Sequence, residues 1–299
     1  HRFRFLCFAV MIALAAGGLA LIGGLAALIA RAPAPPEAGP TAPGFPPVVG
    51  TARPVASDAW RLAPRFSPDG RWLLAAGPRY DGLWIVDPEG RQAPRQVSDE
   101  DYVGYGARWT AAGIQTRTRN GRDVVFSDPL GVPVRQDAGA HDPRTSAAPI
   151  AAWAEDDAIL VRLNGIVRTV SDGTDRFFAP VLSPDGTAVA FEGLLTGLHV
   201  HDLVLGTSVR VGPGNHPAWL PDSSGVLYDV SSDDGRELTA SDLWAFDRGT
   251  GRTARLTATP DRLEASPAVS PDGTRVAFEA AGTIYVAPLG GKDEGEVLA

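Results

Sequence analysis

The 299-residue chain contains one cysteine, Cys7, and one lysine, Lys292. A single cysteine excludes an intramolecular disulfide, and its place inside a long uncharged stretch leaves no thiol for a water-exposed catalytic or metal site. Catalytic signatures are also missing. The sequence has no Gly-x-Ser-x-Gly elbow, Ser-x-x-Lys, phosphate loop or Gly-x-Gly-x-x-Gly. Nor is there an excess of positive charge. A net charge of −8 and a pI near 5.1 exclude non-specific attraction to nucleic acid. Every basic residue except Lys292 is arginine, which together with abundant Ala, Gly and Pro fits a GC-rich bacterial genome.

What the sequence does have is turns, with 34 glycines and 26 prolines, and a repeat. Ser270-Pro271-Asp272-Gly273 has type I turn chemistry and leads into the apolar run Val276-Ala277-Phe278. Ser67-Pro68-Asp69-Gly70 and Ser183-Pro184-Asp185-Gly186 repeat it, Leu220-Pro221-Asp222 is a degenerate copy, and Trp109 and Trp153 mark two weaker units. Six units at intervals of roughly 40 residues predict a propeller with one four-stranded blade each. The interval from Ala154 to Ser183 is the tightest. Downstream of the turns, apolar strands end in Asp87, Asp128, Asp202 and Asp247, each followed by a glycine turn, and outer strands are expected near 95–98, 209–212, 254–257 and 296–299. The third strands are apolar on both faces, as radially stacked blades require.

The Ser-Pro-Asp-Gly turn, the following apolar-Ala-Phe strand, the later apolar-Asp strand and a Leu-Thr outer strand resemble the TolB-type (PD40, WD40-like) propeller repeat, from about Arg61 onward. The resemblance implies an all-β fold with six blades. It does not fix an activity, because such propellers serve as periplasmic scaffolds, kinase sensor domains and peptidase gating domains.

Before the repeats, residues 5–30 carry no charge and are flanked by Arg2, Arg4 and Arg31. This run exceeds the apolar core of about 7–15 residues in a secretory signal and suits an uncleaved transmembrane helix. The basic residues 1–4 are then cytoplasmic and the remainder periplasmic or extracellular. Residues 31–47 are a proline-rich spacer, and 48–299 form the propeller domain. Within it, 48–60 supply an edge strand that closes the ring beside the last blade.

Three residues are candidates for ligand contact at the channel. Arg65 and Arg108 share an innermost-strand position that holds Ala152, Val181, Ala218 and Ala268 in the other units. Pairing with a carboxylate or backbone partner is the first expectation, and an anion-selective channel mouth the alternative. His216, aligned with Ala63, Gly106, Ile150, Ala179 and Ser266, is expected to be an exposed loop histidine, with contact to a ligand in the funnel as the alternative. His199 and His201 have metal-ligand spacing but align with Trp84, Val86, Trp244 and Phe246, so packing between blades is expected. Asp69, Asp185, Asp222 and Asp272 are turn residues, and 231–237 is a hairpin tip.

These readings predict a membrane-anchored, exported, non-catalytic propeller that binds a protein or small ligand at a rim or in the channel, with no cofactor, metal or nucleic acid. A chain opening on His1 suggests a piece of a longer protein, so the sensor domain of a transmembrane Ser/Thr kinase is the second reading. A propeller lyase or hydrolase using Arg65, Arg108 and His216 is the third.

Overall fold

The computed structural model describes residues 45–140, 148–260 and 262–290. The expected membrane segment lies outside these residues, and no helix among the described residues is long and apolar enough to cross a membrane. The chain folds into six antiparallel sheets. Blade 1 is built from β3 (Leu62–Phe66), β4 (Leu73–Ala76), β5 (Leu83–Val86) and β6 (Arg95–Ser98), and blade 2 from β7 (Arg108–Thr110), β8 (Gly113–Arg117), β9 (Arg122–Ser127) and β10 (Val134–Ala140). Among the described residues blade 3 has three strands, β11 (Ile150–Glu155), β12 (Ala158–Leu163) and β13 (Ile166–Thr169). Blade 4 comprises β14 (Phe177–Leu182), β15 (Ala188–Gly193), β16 (Gly197–Asp202) and β17 (Thr207–Gly212). Blade 5 comprises β18 (Asn215–Trp219), β19 (Gly225–Asp233), β20 (Leu238–Asp247) and β21 (Thr253–Arg255), and blade 6 has β22 (Glu264–Val269), β23 (Arg275–Ala280) and β24 (Thr283–Gly290).

The missing outer strand of blade 3 corrects the expectation of four strands per unit. The tight interval before Ser183 is met by leaving that strand out. Blade 6 is completed from the other end of the domain: β1 (Val48–Val49) and β2 (Arg53–Ala56) both pair with β24, so the ring closes where the edge-strand reading placed it. The expected outer strand at 296–299 lies outside the described residues.

Each Ser-Pro-Asp-Gly turn is a small hydrogen-bonded unit. The serine hydroxyl donates to the aspartate at 2.5, 2.6 and 2.5 Å in blades 1, 4 and 6. The same hydroxyl oxygen accepts the N–H five residues on, from Trp72, Ala188 or Arg275, at the entry to the next strand. The aspartate accepts the N–H two residues on, from Arg71, Thr187 or Thr274. This satisfies the backbone while both flanking strands leave the turn in register.

Between blades, apolar side chains interdigitate. Val55, Ala75, Ala277 and Val286 fill the join of blades 6 and 1. Leu74, Leu83, Ile114 and Phe126 fill that of blades 1 and 2. Comparable clusters lie between blades 3 and 4, 4 and 5, and 5 and 6. Among the described residues the join of blades 2 and 3 has no such cluster. A cleft of ≈ 710 Å³ opens there instead.

Candidate functional site

The channel surface is set by the innermost strands. Ala63, Ala179, His216 and Ser266 each precede a proline and each has a positive φ, between 49° and 53°. Strand register shifts beside each of them, which identifies a β-bulge at the same point of blades 1, 4, 5 and 6. A bulge removes one N–H from the ladder, so that N–H needs another acceptor.

In three blades the acceptor is a carboxylate on the neighbouring blade. Glu192 accepts the His216 N–H at 3.1 Å, Asp229 accepts the Ser266 N–H at 2.9 Å, and Glu279 accepts the Ala63 N–H at 2.7 Å. All three follow the aromatic residue of a second strand: Phe191, Tyr228 and Phe278. Burial pushes Glu192 and Glu279 above the usual glutamate range, although His216 and the donated N–H groups pull the other way.

His216 belongs to this carboxylate side. Its Nδ1 lies 2.8 Å from Asp229 Oδ1. Burial alone would lower its pKa, but the hydrogen bond and charge of Asp229, with Glu192 and Glu279 nearby, hold it above the ordinary value. His216 is exposed as expected, but it sits on strand β18 rather than in a loop and is hydrogen-bonded to Asp229.

Arg65 and Arg108 lie on the innermost strands of blades 1 and 2, and both are exposed. Register places them as aligned, Arg65 opposite Leu74 and Arg108 opposite Gln115. Among the described residues neither guanidinium meets the carboxylate or backbone partner expected of a structural pair, although Arg108 has a side-chain partner in its own blade. Arg108 donates to Gln115 Oε1 at 3.0 Å, and the Gln115 amide donates in turn to Asp123 at 3.1 Å, so the guanidinium is oriented by a neutral group. Among the described residues no carboxylate pairs with Arg65. Although Arg65 is reached by solvent, the channel wall packed around it thins its hydration and pushes the guanidinium down, Tyr80 partly opposes this, and the Arg108 charge adds to the lowering.

Tyr80 links Arg65 and the carboxylates electrostatically. Burial pushes its hydroxyl up, with Glu279, Tyr105 and Glu192 acting in the same direction and Arg65 against it. Beside it, Tyr105 packs edge-on to Tyr80 at 5.4 Å and stacks on Tyr102 at 5.1 Å, yet remains 53% exposed. The cleft between blades 2 and 3 is walled by Tyr105, Arg108, Arg119, Trp153 and Pro180.

No protein-family model matches the chain, and no curated protein matches it in sequence. Its fold does have solved counterparts. A chain of the structure "Crystal Structure of Mitotic Checkpoint Complex" superposes with a TM-score of 0.59 at 13% identity, covering 87% of this chain and 97% of that one. Likeness at that identity establishes the propeller fold alone.

The remaining candidates have structural roles. His199 is buried, stacked on Phe191 and edge-on to Phe177, with Nε2 2.8 Å from Thr196 Oγ1. Its partners are in its own blade rather than across a join, which refines the packing expectation. His201 meets Ser208 at 2.8 Å. The turn aspartates bond within their own turns, Asp185 also meeting Arg248 of blade 5 at 3.7 Å, and 231–237 falls at the tip of the β19–β20 hairpin. Sequence reasoning missed Glu192, Asp229 and Glu279. An acid directly after the second-strand aromatic in three of six units was the available signal.

Proposed function

We propose that this chain is a TolB-type propeller, held outside the cytoplasm by residues 5–30 and the 31–47 spacer, that acts as a non-catalytic scaffold recognising a protein or small ligand through its channel mouth. The observation that carries this reading is the division of the channel wall. Exposed arginines stand on the innermost strands of blades 1 and 2, hydrogen-bonded carboxylates of blades 4, 5 and 6 hold the innermost strands of blades 5, 6 and 1, and Tyr105 is exposed beside Tyr80. A wall that only closed a ring would be filled with apolar side chains, as the joins between blades are. Charged and aromatic groups converging on a concavity suit recognition. The fold match to a chain from a protein complex is in keeping with a scaffold role.

The test is capture of binding partners from membranes by the full chain and by a variant carrying Arg65→Gln, Arg108→Gln and Glu279→Gln. Loss of a partner that the parent retains supports recognition at the channel mouth. An unchanged set of partners transfers the function to another face.

A further inference from the structure

Arg65 and Arg108 share with Arg71, Arg95, Arg168, Arg210 and Arg252 the lack of a carboxylate partner among the described residues, but they alone of these lie on innermost strands. Most others meet a carboxylate: Arg53 and Arg275 share Glu89, Arg248 meets Asp202, Arg255 meets Asp242, and Arg135 meets Glu100. In a chain with net charge −8, carboxylates are in good supply. The channel carboxylates are already committed to bulge N–H groups of the neighbouring blades and to His216. Two guanidinium groups therefore sit on the innermost strands of blades 1 and 2 with no acidic partner to either among the described residues.

Like charges confined together repel, and a wall that lowers the Arg65 pKa also strengthens their interaction with an anion. Arg108 is aimed without being neutralised, because its Gln115 acceptor is itself held by Asp123. Guanidinium forks match the planar or tetrahedral oxygens of carboxylate and phosphate. Tyr105 offers ring surface into the same cleft that Arg108 lines together with Arg117, Arg119, Asp123 and Glu155, and among the described residues that cleft takes the place of the apolar packing found at the other joins. A flat ring against Tyr105 and an oxyanion on the arginines would fill both needs.

We propose that Arg65 and Arg108, with Tyr105, form a binding site for a small ring-bearing organic oxyanion, a carboxylate or a phosphate ester, at the mouth of the cleft between blades 2 and 3. This deepens the channel-recognition reading and rests on it.

Thermal melts of the full chain with benzoate, phenyl phosphate, neutral benzyl alcohol and sodium chloride at matched ionic strength test the site, with saturation-transfer NMR reporting contact to the ring. The expected result is a saturable rise of roughly 2–5 °C with one or both oxyanions well above their Kd. Benzyl alcohol and chloride should give no such rise. The relative strength of benzoate and phenyl phosphate identifies the preferred oxyanion. Arg65→Gln and Arg108→Gln should each weaken binding by at least about tenfold, the loss of one charge-assisted pair. Each variant should melt no lower than the parent at low salt, because it removes a like-charged neighbour. Absence of binding by both oxyanions, equal binding by the variants, an equal rise with chloride, or variants that melt lower than the parent would overturn the proposal. Variants that ignore benzoate yet still capture a partner limit the anion site to small ligands. A parent that captures a partner yet binds neither oxyanion removes the anion site and leaves channel recognition standing.

Discussion

His216 Nδ1 lies 2.8 Å from Asp229 Oδ1, and that same oxygen accepts the backbone N–H of Ser266 at 2.9 Å. One carboxylate atom therefore joins the first two strands of blade 5 to the first strand of blade 6. Asp229 is buried, 1% exposed, so neither bond has water as a ready substitute. The bulge at Ser266 creates the need for an acceptor, and the acid after Tyr228 meets it.

Removing that acceptor should be costly. Asp229→Ala leaves the Ser266 N–H buried and unpaired and should destabilise the propeller by about 2–3 kcal/mol in urea unfolding. Asp229→Asn retains an acceptor oxygen and should recover part of the loss. Equal stability of both variants and the parent would show that the inter-blade bond contributes nothing.

Stability should also fall on the alkaline side. His216 has its folded pKa raised above 6.5, so its contribution is full below 6.5 and is lost as pH rises through the folded value. Glu192 and Glu279 are raised above 4.5 by burial, so ionising them costs stability in the same direction. Asp175 acts oppositely: burial would raise it, but Thr196 and the N–H groups of Leu195, Arg176 and Thr196 hold it at about 2, so its contribution is lost as pH falls from 3.8 toward that value. Urea unfolding across pH should show a maximum between these limbs, and His216→Gln should flatten the upper one.

The turns offer an internal comparison. Asp272 accepts bonds from Ser270, from Thr274 N–H and from the Thr274 hydroxyl, whereas Asp222, in the unit where Leu220 replaces serine, accepts only from Ser224. Asp272→Ala should therefore cost about 1–2 kcal/mol and Asp222→Ala less, as chemical denaturation can measure.

Ring closure can be probed at Val55, a buried residue of β2 packed between blades 6 and 1. Val55→Ala should destabilise by about 2 kcal/mol. Hydrogen exchange should accelerate first in β2 and β24, where closure is made. Faster exchange confined to blades 3 and 4 would contradict this.

Where the sequence was legible, the determinant was local. Ser-Pro-Asp-Gly specifies its own turn through bonds spanning five residues, so Ser67, Ser183 and Ser270 could be read directly. Residues 48–60 were recognisable as the closing edge because a propeller leaves its last blade in need of one. Alignment likewise gave the common register of Arg65 and Arg108. Partners were less legible: Arg108 with Gln115 is a cross-strand pair within its blade, but the absence of an acid beside Arg65 depends on how blades face the channel. The contact of Glu279 with Ala63 spans the two ends of the domain and exists only once the ring closes. The lack of an apolar cluster among the described residues at the join of blades 2 and 3 is a matter of packing that no single repeat encodes.

The central claim is that recognition occurs at the channel mouth, on the face that carries Arg65, Arg108 and Tyr105. Its most direct test is photo-crosslinking in membranes, with p-benzoylphenylalanine placed in the full chain at Tyr105 and, separately, at Thr250 in the β20–β21 turn. A specific adduct from Tyr105 that is absent from Thr250 and lost with Arg65→Gln and Arg108→Gln is the predicted result. Adducts formed from Thr250 alone would contradict the account.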